Sequence, residues 1–190
     1  MSELNYEHVF NVLVDKTAEY VTSNNLKVMV LGISGGIDST VVAAICHEVS
    51  KKTGIPLIGR SLPIKNKSDE FDVSKLVGEA FCDEFKVFNL SSSYKSVLFD
   101  LCADTGLIKD CKGYDWYWVS DLEELAGRTP IANGNIQARC RMIHLYDIAS
   151  IRKGLVMSTD NQTEYQLGFW TIHGDVCLLY TSPSPRDLST

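Results

Sequence analysis

The stretch Gly32-Ile-Ser-Gly-Gly-Ile-Asp-Ser-Thr40 puts three glycines, two serines, a threonine and one carboxylate into nine positions. Lys27-Val-Met-Val-Leu31 leads into it and reads as a buried strand. Thr40-Val-Val-Ala-Ala-Ile-Cys-His-Glu-Val49 leads out and reads as a helix. A strand turning into a helix through glycines opens a βαβ unit, and such units build parallel sheets.

The rest of the chain continues the alternation. Residues 5–23 carry Val9, Phe10, Leu13, Val14, Thr17, Tyr20 and Val21 at helical spacing. Strands are expected at 27–33, at 55–61 with Pro56 near the start, at 85–90, and at 154–158. Helices are expected at 38–51, at 69–83 with Phe71, Val73, Leu76, Val77 and Ala80 inward, from Ser91 or Ser92 as cap to about 103, and at 131–150. The expected fold is α/β: a three-layer, doubly wound, Rossmann-like parallel sheet with helices on both faces and right-handed crossovers. Ligands in such sheets bind beyond the carboxyl ends of the strands, where loop 32–39 and Ser158-Thr-Asp-Asn161 fall. No internal repeat is present. The polar Pro63–Ser68 stretch is a candidate loop over the ligand. Residues 106–130, with Tyr114, Trp116, Tyr117 and Trp118, read either as a mobile excursion or partner surface, or as a packed aromatic loop.

Charge and cysteine usage narrow the function. A net charge of −6 argues against a general nucleic-acid or membrane-surface binder, although local amides still suit an anionic small ligand. No apolar run approaches the roughly 18 residues of a membrane span, and the N-terminus is polar, so a cytoplasmic place is expected. Of six cysteines none forms a C-x-x-C pair; Cys46, Cys82 and Cys102 sit among apolar neighbours and read as buried reduced thiols.

The glycine loop is suited to phosphate. Its amides and the positive end of the following helix point at one spot, and Ser34, Ser39 and Thr40 add hydroxyls. No lysine follows Gly36, so it is not a Walker A loop, and the glycines at 32, 35 and 36 miss the dinucleotide spacing. Instead Asp38 sits inside the loop. A carboxylate beside polyphosphate repels it unless a cation bridges the two, which implies Mg²⁺.

Ser34-Gly-Gly-Ile-Asp-Ser39 resembles the S-G-G-x-D-S signature of the ATP pyrophosphatase family. Gly134-Asn-Ile-Gln-Ala-Arg-Cys-Arg-Met142 resembles the G-N-x-x-A-R-x-R-M helix of NAD synthetases. Ser158-Thr-Asp-Asn-Gln-Thr-Glu164, with Gly168-Phe169 and Gly174-Asp175, resembles their [GS]-T-D-x-x-x-E…G-F…G-D segment. Together these strings cover residues 32–176 in family order.

The resemblance implies ATP-binding by Gly32, Ile33, Ser34, Gly35, Gly36, Ile37, Asp38, Ser39 and Thr159. It implies Arg139 as the deamido-NAD contact, and Asp38 and Glu164 as Mg²⁺ ligands. Asp160 follows a strand end, helps in positioning, and is a candidate cap for the next helix. Arg141, two residues beyond Arg139, is expected to point elsewhere, to a salt bridge or an interface. No side chain is assigned as acid or base; of the histidines only His173 falls near the site. The implied reaction adenylates the nicotinate carboxylate of deamido-NAD with ATP, and ammonia then displaces AMP. The protein's share is positioning and charge neutralisation.

Glutamine-using NAD synthetases resemble this module with a large glutaminase domain ahead of it. About thirty residues precede the loop here, so ammonia is expected either free or from a separate protein. The family implies a homodimer, which helix 5–23 suits as well as it suits a core. Two departures stand out. Many members have a lysine where this chain has Ile172. Members also continue well past Gly174-Asp175, so residues 1–176 are expected to lack the carboxyl-terminal part of the domain. Residues 177–190 resemble translated sequencing adapter and are expected to be a non-native tail. A chain of this extent is expected to be unstable or inactive. Two alternatives stay open: another ATP pyrophosphatase-type amidoligase or thiolase, and a nucleotide-binding module without turnover.

Overall fold

The structure is a computed structural model of the 190-residue chain and describes residues 5–65, 68–107, 127–160, 163 and 171–174, with the side chains of 68–71 left out. Helix α1 spans Tyr6–Ser23, β1 Met29–Gly32, α2 Ile37–Thr53, β2 Leu57–Ser61, α3 Ser68–Phe81 and β3 Glu84–Val87. Then follow α4 Ser91–Asp104, α5 Pro130–Arg152 and β4 Leu155–Val156.

The four strands are parallel and lie in the order β3-β2-β1-β4. Their alternation divides the core. Val30, Ile58 and Val156 pair across the sheet and face α4 and α5, meeting Tyr94, Leu98, Cys140 and Leu145. Met29, Leu31 and Leu57 face the other way and meet Val14, Val21, Cys46 and Val49 of α1 and α2. Both faces are covered, as a parallel sheet requires. The expected doubly wound, three-layer α/β fold is what the chain adopts.

Helix ends follow their local chemistry. Asn5 caps α1, its Oδ1 accepting from His8 N at 3.0 Å. Thr129 caps α5 by accepting from Ala132 N, with Pro130 next, where its missing N–H costs nothing. At α4 the expectation of a Ser91 or Ser92 cap is wrong: Leu90 is the cap residue, and Asn89 Oδ1 accepts from Ser91 N at 2.8 Å.

Helix α3 also presents a different face from the one its apolar residues suggest. Of the residues expected inward Val77 packs against the core and the side chain of Phe71 lies outside the description, but Val73, Leu76 and Ala80 are exposed, while Ser74 and Gly78 turn to the sheet. Gly78 decides this, because a Cβ there would stand 2.2 Å from the Phe85 ring. The backbone comes closest where the side chain is absent. The strands are shorter than expected at 29–32, 57–61, 84–87 and 155–156, although single backbone hydrogen bonds carry the pairing one step further at Val28, Ile33 and Met157. Cys46, Cys82, Cys102 and Cys140 carry free thiols, with Cys82 just past the end of α3; Cys111 and Cys177 lie outside the described residues. So does most of the aromatic stretch 106–130.

Candidate active site

Strand order reverses between β1 and β4. From β1 the chain moves outward through β2 to β3, then returns over the other face to β4 on the opposite side of β1. The carboxyl ends of β1 and β4 therefore splay connections in opposite directions and leave a crevice.

The glycine loop occupies that crevice. Ile33 N donates to Arg60 O, extending the β1–β2 pairing by one step before the chain turns. Gly35 takes φ 85, a left-handed conformation that suits glycine. Gly36 is the cap of α2, and no side chain takes the capping role there. The first-turn amides of α2 have no carbonyl partner inside the helix and stay aimed at the loop's mouth. The hydroxyls brace the loop from beneath. Ser34 Oγ lies 2.9 Å from Ser39 Oγ and accepts from Gly36 N, while Ser39 and Thr40 donate to Gly36 O. Ser39 is buried in this role. Asp38, exposed in the first turn, adds a carboxylate beside the amides.

The loop opens on a cavity of about 790 Å³, within the range usual for small-molecule sites. Gly32 through Gly36 and Thr159 line it. The floor is apolar, from Val156, Met157 and Leu145. Ser61 and Ser74, joined by a 2.9 Å hydrogen bond, line the β2 end. Gly32 lets α5 close in: a Cβ there would meet Leu145 Cδ1 at 3.2 Å.

The expected site residues divide into groups. Gly32, Ile33, Ser34, Gly35, Gly36 and Thr159 line the cavity; Ile37, Asp38 and Ser39 begin α2 beside it. Asp160 is bound locally, accepting from Ser158 Oγ at 2.7 Å. Arg139 is not brought to this cavity. It is exposed on α5, donates from Nε to Ile172 O, and lines a second hollow of about 630 Å³ with Tyr146, Asp147 and His173. Glu164 lies outside the described residues.

Arg141 points elsewhere than Arg139, as expected, and the space it enters is the cavity. It lines the cavity and donates from Nε to Leu62 O at 3.0 Å. Ala138, Arg141, Met142 and Leu145 recur at three and four residues, so they share the face of α5 turned to the site. That spacing was the available signal. Arg60 was also missed; it lines the cavity, is 8% exposed, and gives its guanidinium to Gly59 O and the Glu84 carboxylate. Arg152 binds the second Glu84 oxygen at 2.8 Å. The Arg60 hydrogen bond, helped by the charges of Arg60, Arg152 and Lys86, holds the Glu84 carboxyl below its usual range. His144 stacks on Phe88 at 5.1 Å, and burial lowers its pKa.

Magnesium favours oxygen donors and takes one or two carboxylates, with substrate phosphates and water completing its shell. Asp38, beside amides aimed at a phosphate position, fits such a donor set. Among the described residues no group of three or more His, Cys, Asp or Glu side chains gathers.

A family model described as NAD synthase matches residues 9–180. The chain belongs to the NAD synthase family. An NH(3)-dependent NAD(+) synthetase of Latilactobacillus sakei is 35% identical over 170 residues, covering 85% of this chain and 54% of that protein. One from Burkholderia ambifaria is 31% identical over 186 residues, covering 92% and 61%. An NMN synthetase from Francisella tularensis superposes with a TM-score of 0.70 at 25% identity, over 91% of this chain and 62% of that one. The chain thus spans between half and two thirds of the length of these three relatives.

Proposed function

We propose that this NAD synthase family chain carries the ATP-binding part of a carbon–nitrogen ligase that amidates deamido-NAD with ammonia. The products are NAD, AMP and pyrophosphate, formed through an adenylated nicotinate. The observation carrying this reading is the braced glycine loop at the β1–β4 crevice, with Asp38 in the first turn of α2 and a cavity of about 790 Å³ in front. The loop amides receive the pyrophosphate end of ATP. Thr159 lines the same cavity and contacts the rest of the nucleotide. Asp38 and Glu164 would hold Mg²⁺, which neutralises the phosphate charge when bound. Arg139, with a forked guanidinium at the second hollow, is the contact for an anionic group of deamido-NAD. A carboxylate is a poor acyl donor, whereas its adenylate loses AMP readily to ammonia, so the chain's contribution is alignment and exclusion of water.

A homodimer is part of this reading, supported by exposed apolar side chains on α1 (Tyr6, Leu13) and α5 (Ile143, Ile151). So is a cytoplasmic setting; among the described residues no helix is long and apolar enough to cross a membrane. Residues 1–176 then form a domain whose remaining substrate contacts are supplied beyond it, and 177–190 a tail.

The test has two arms. The 190-residue chain is titrated with MgATP, and a chimera extended with the carboxyl-terminal part of the Latilactobacillus sakei relative is assayed for AMP release. The expected result is binding in the first and AMP formation dependent on both deamido-NAD and ammonia in the second. The Francisella tularensis neighbour makes the mononucleotide acid the second acceptor to assay. AMP formed only with that acceptor moves the substrate assignment to it. A folded chimera that binds ATP and never yields AMP leaves a binding module.

A further inference from the structure

The turn at 171–174 stands between two hollows. Gly174 forms part of the wall of the 790 Å³ cavity, while His173 lines the second hollow. Met142 of α5 reaches both. What seats this turn therefore shapes both spaces.

Two hydrogen bonds seat it on α5 and another closes it. Thr171 Oγ1 donates to Asn135 Oδ1 at 2.8 Å. Arg139 Nε donates to Ile172 O at 3.2 Å. Gly174 N donates back to Thr171 O at 2.8 Å and closes the turn. Packing fixes the height: a Cβ at Gly174 would lie 2.6 Å from Thr171 Cγ2 and 3.0 Å from Ala138 Cβ. His173 takes a left-handed φ of 58, a conformation that a residue with a side chain keeps only when its surroundings enforce it. Asn135, Ala138 and Arg139 follow one another at three and four residues, so one stripe of α5 receives the whole turn. The Arg139 bond goes to a backbone carbonyl, which any residue at 172 supplies. The Asn135 bond goes to a hydroxyl, which at 171 only serine or threonine supplies in this geometry.

We propose that Asn135 and Thr171 are positioning residues whose hydrogen bond seats the 171–174 turn, so that Gly174 walls the nucleotide cavity while His173 is held in the second hollow. Neither is among the residues that line the cavity. They act on the nucleotide through the turn. The inference rests on the reading of that cavity as the ATP site.

The experiment is calorimetric titration of the 190-residue chain with MgATP, far below its melting temperature, where folded-state affinity does not follow stability. Four variants are compared: Thr171→Val, Asn135→Ala, the two together, and Thr171→Ser. Thr171 is partly exposed, so valine is accommodated. The valine and alanine variants are each expected to weaken binding about two- to tenfold, the worth of one hydrogen bond. The double variant is expected to weaken it no further than either alone, because both remove the same bond. Serine is expected to restore it. MgATP binding by Thr171→Val equal to that of the unchanged chain overturns the inference, and so do additive effects of the two substitutions. Absence of MgATP binding by the unchanged chain overturns the ATP reading itself.

Discussion

The buried guanidinium of Arg60 is bound to the carboxylate of Glu84 across adjacent strands, and Arg152 of α5 holds the other oxygen of the same carboxylate. A cation at a wall of the cavity is thereby tied to the β3 edge of the sheet. Replacing Glu84 with alanine leaves the buried Arg60 without its counter-charge, only the hydrogen bond to Gly59 O remaining, and is expected to cost about 3 kcal/mol in chemical denaturation.

The same contact fixes a pH dependence. The folded carboxyl titrates below its unfolded value of about 4.5, with the Arg60 hydrogen bond as the main cause. The stabilisation is therefore complete above that value and is lost as pH falls through the lower, folded one. Denaturation midpoints measured from pH 6 downward should fall less steeply for Glu84→Gln than for the unchanged chain. Parallel curves would show that Glu84 carries none of the acid sensitivity.

Gly154 and Gly134 should respond to alanine in opposite directions. A Cβ at Gly154 would lie 2.4 Å from the backbone oxygen of Val28, which cannot swing aside, and a loss of about 3 kcal/mol or more is expected. Gly134, inside α5, has open space around its Cβ position. Alanine there should stabilise by about 0.5–1 kcal/mol through helix propensity. Thermal melts of the two variants decide it.

Asp38→Asn should leave the fold intact, changing stability by less than about 1 kcal/mol at an exposed first-turn position. MgATP affinity should fall about 10- to 100-fold, with metal-free ATP binding nearly unchanged. An equal loss for both forms would assign Asp38 to the loop's shape and not to the cation.

Thiol chemistry offers a check on the core. Burial pushes Cys46 up to about 12 and Cys82 up to about 11. At pH 8 both should resist alkylation in the native chain and react fully in denaturant, as read by mass spectrometry.

The chain order of strands and helices was legible because each strand is a short apolar run and the helices carry apolar residues at helical spacing. The face of α3 was not legible. Val73 and Leu76 look like core residues, yet the closest approach belongs to Gly78, and a glycine leaves no trace in an apolar pattern. The phosphate loop stood out because residue type and backbone need coincide at Gly35 and Gly36. Arg141 was missed because its neighbour Arg139 drew the functional reading. One step along a helix turns a side chain by about 100°, so two arginines two residues apart serve different spaces. Arg60 was missed because a charged residue inside a buried strand becomes intelligible only with its partners, Glu84 and Arg152, which lie 24 and 92 positions away.

The reversal of strand order at β1 has a consequence during synthesis. The two walls of the crevice, the loop after β1 and the segment after β4, are encoded about 120 residues apart. At translation speeds of 5–20 residues per second, the first wall leaves the ribosome roughly 6 to 24 seconds before the second. Over that interval α1, α2 and α3 cover one side of the growing sheet, and α4 alone reaches the side that will receive α5. The nascent chain is then an incompletely clad sheet with a phosphate loop and only one wall of its pocket.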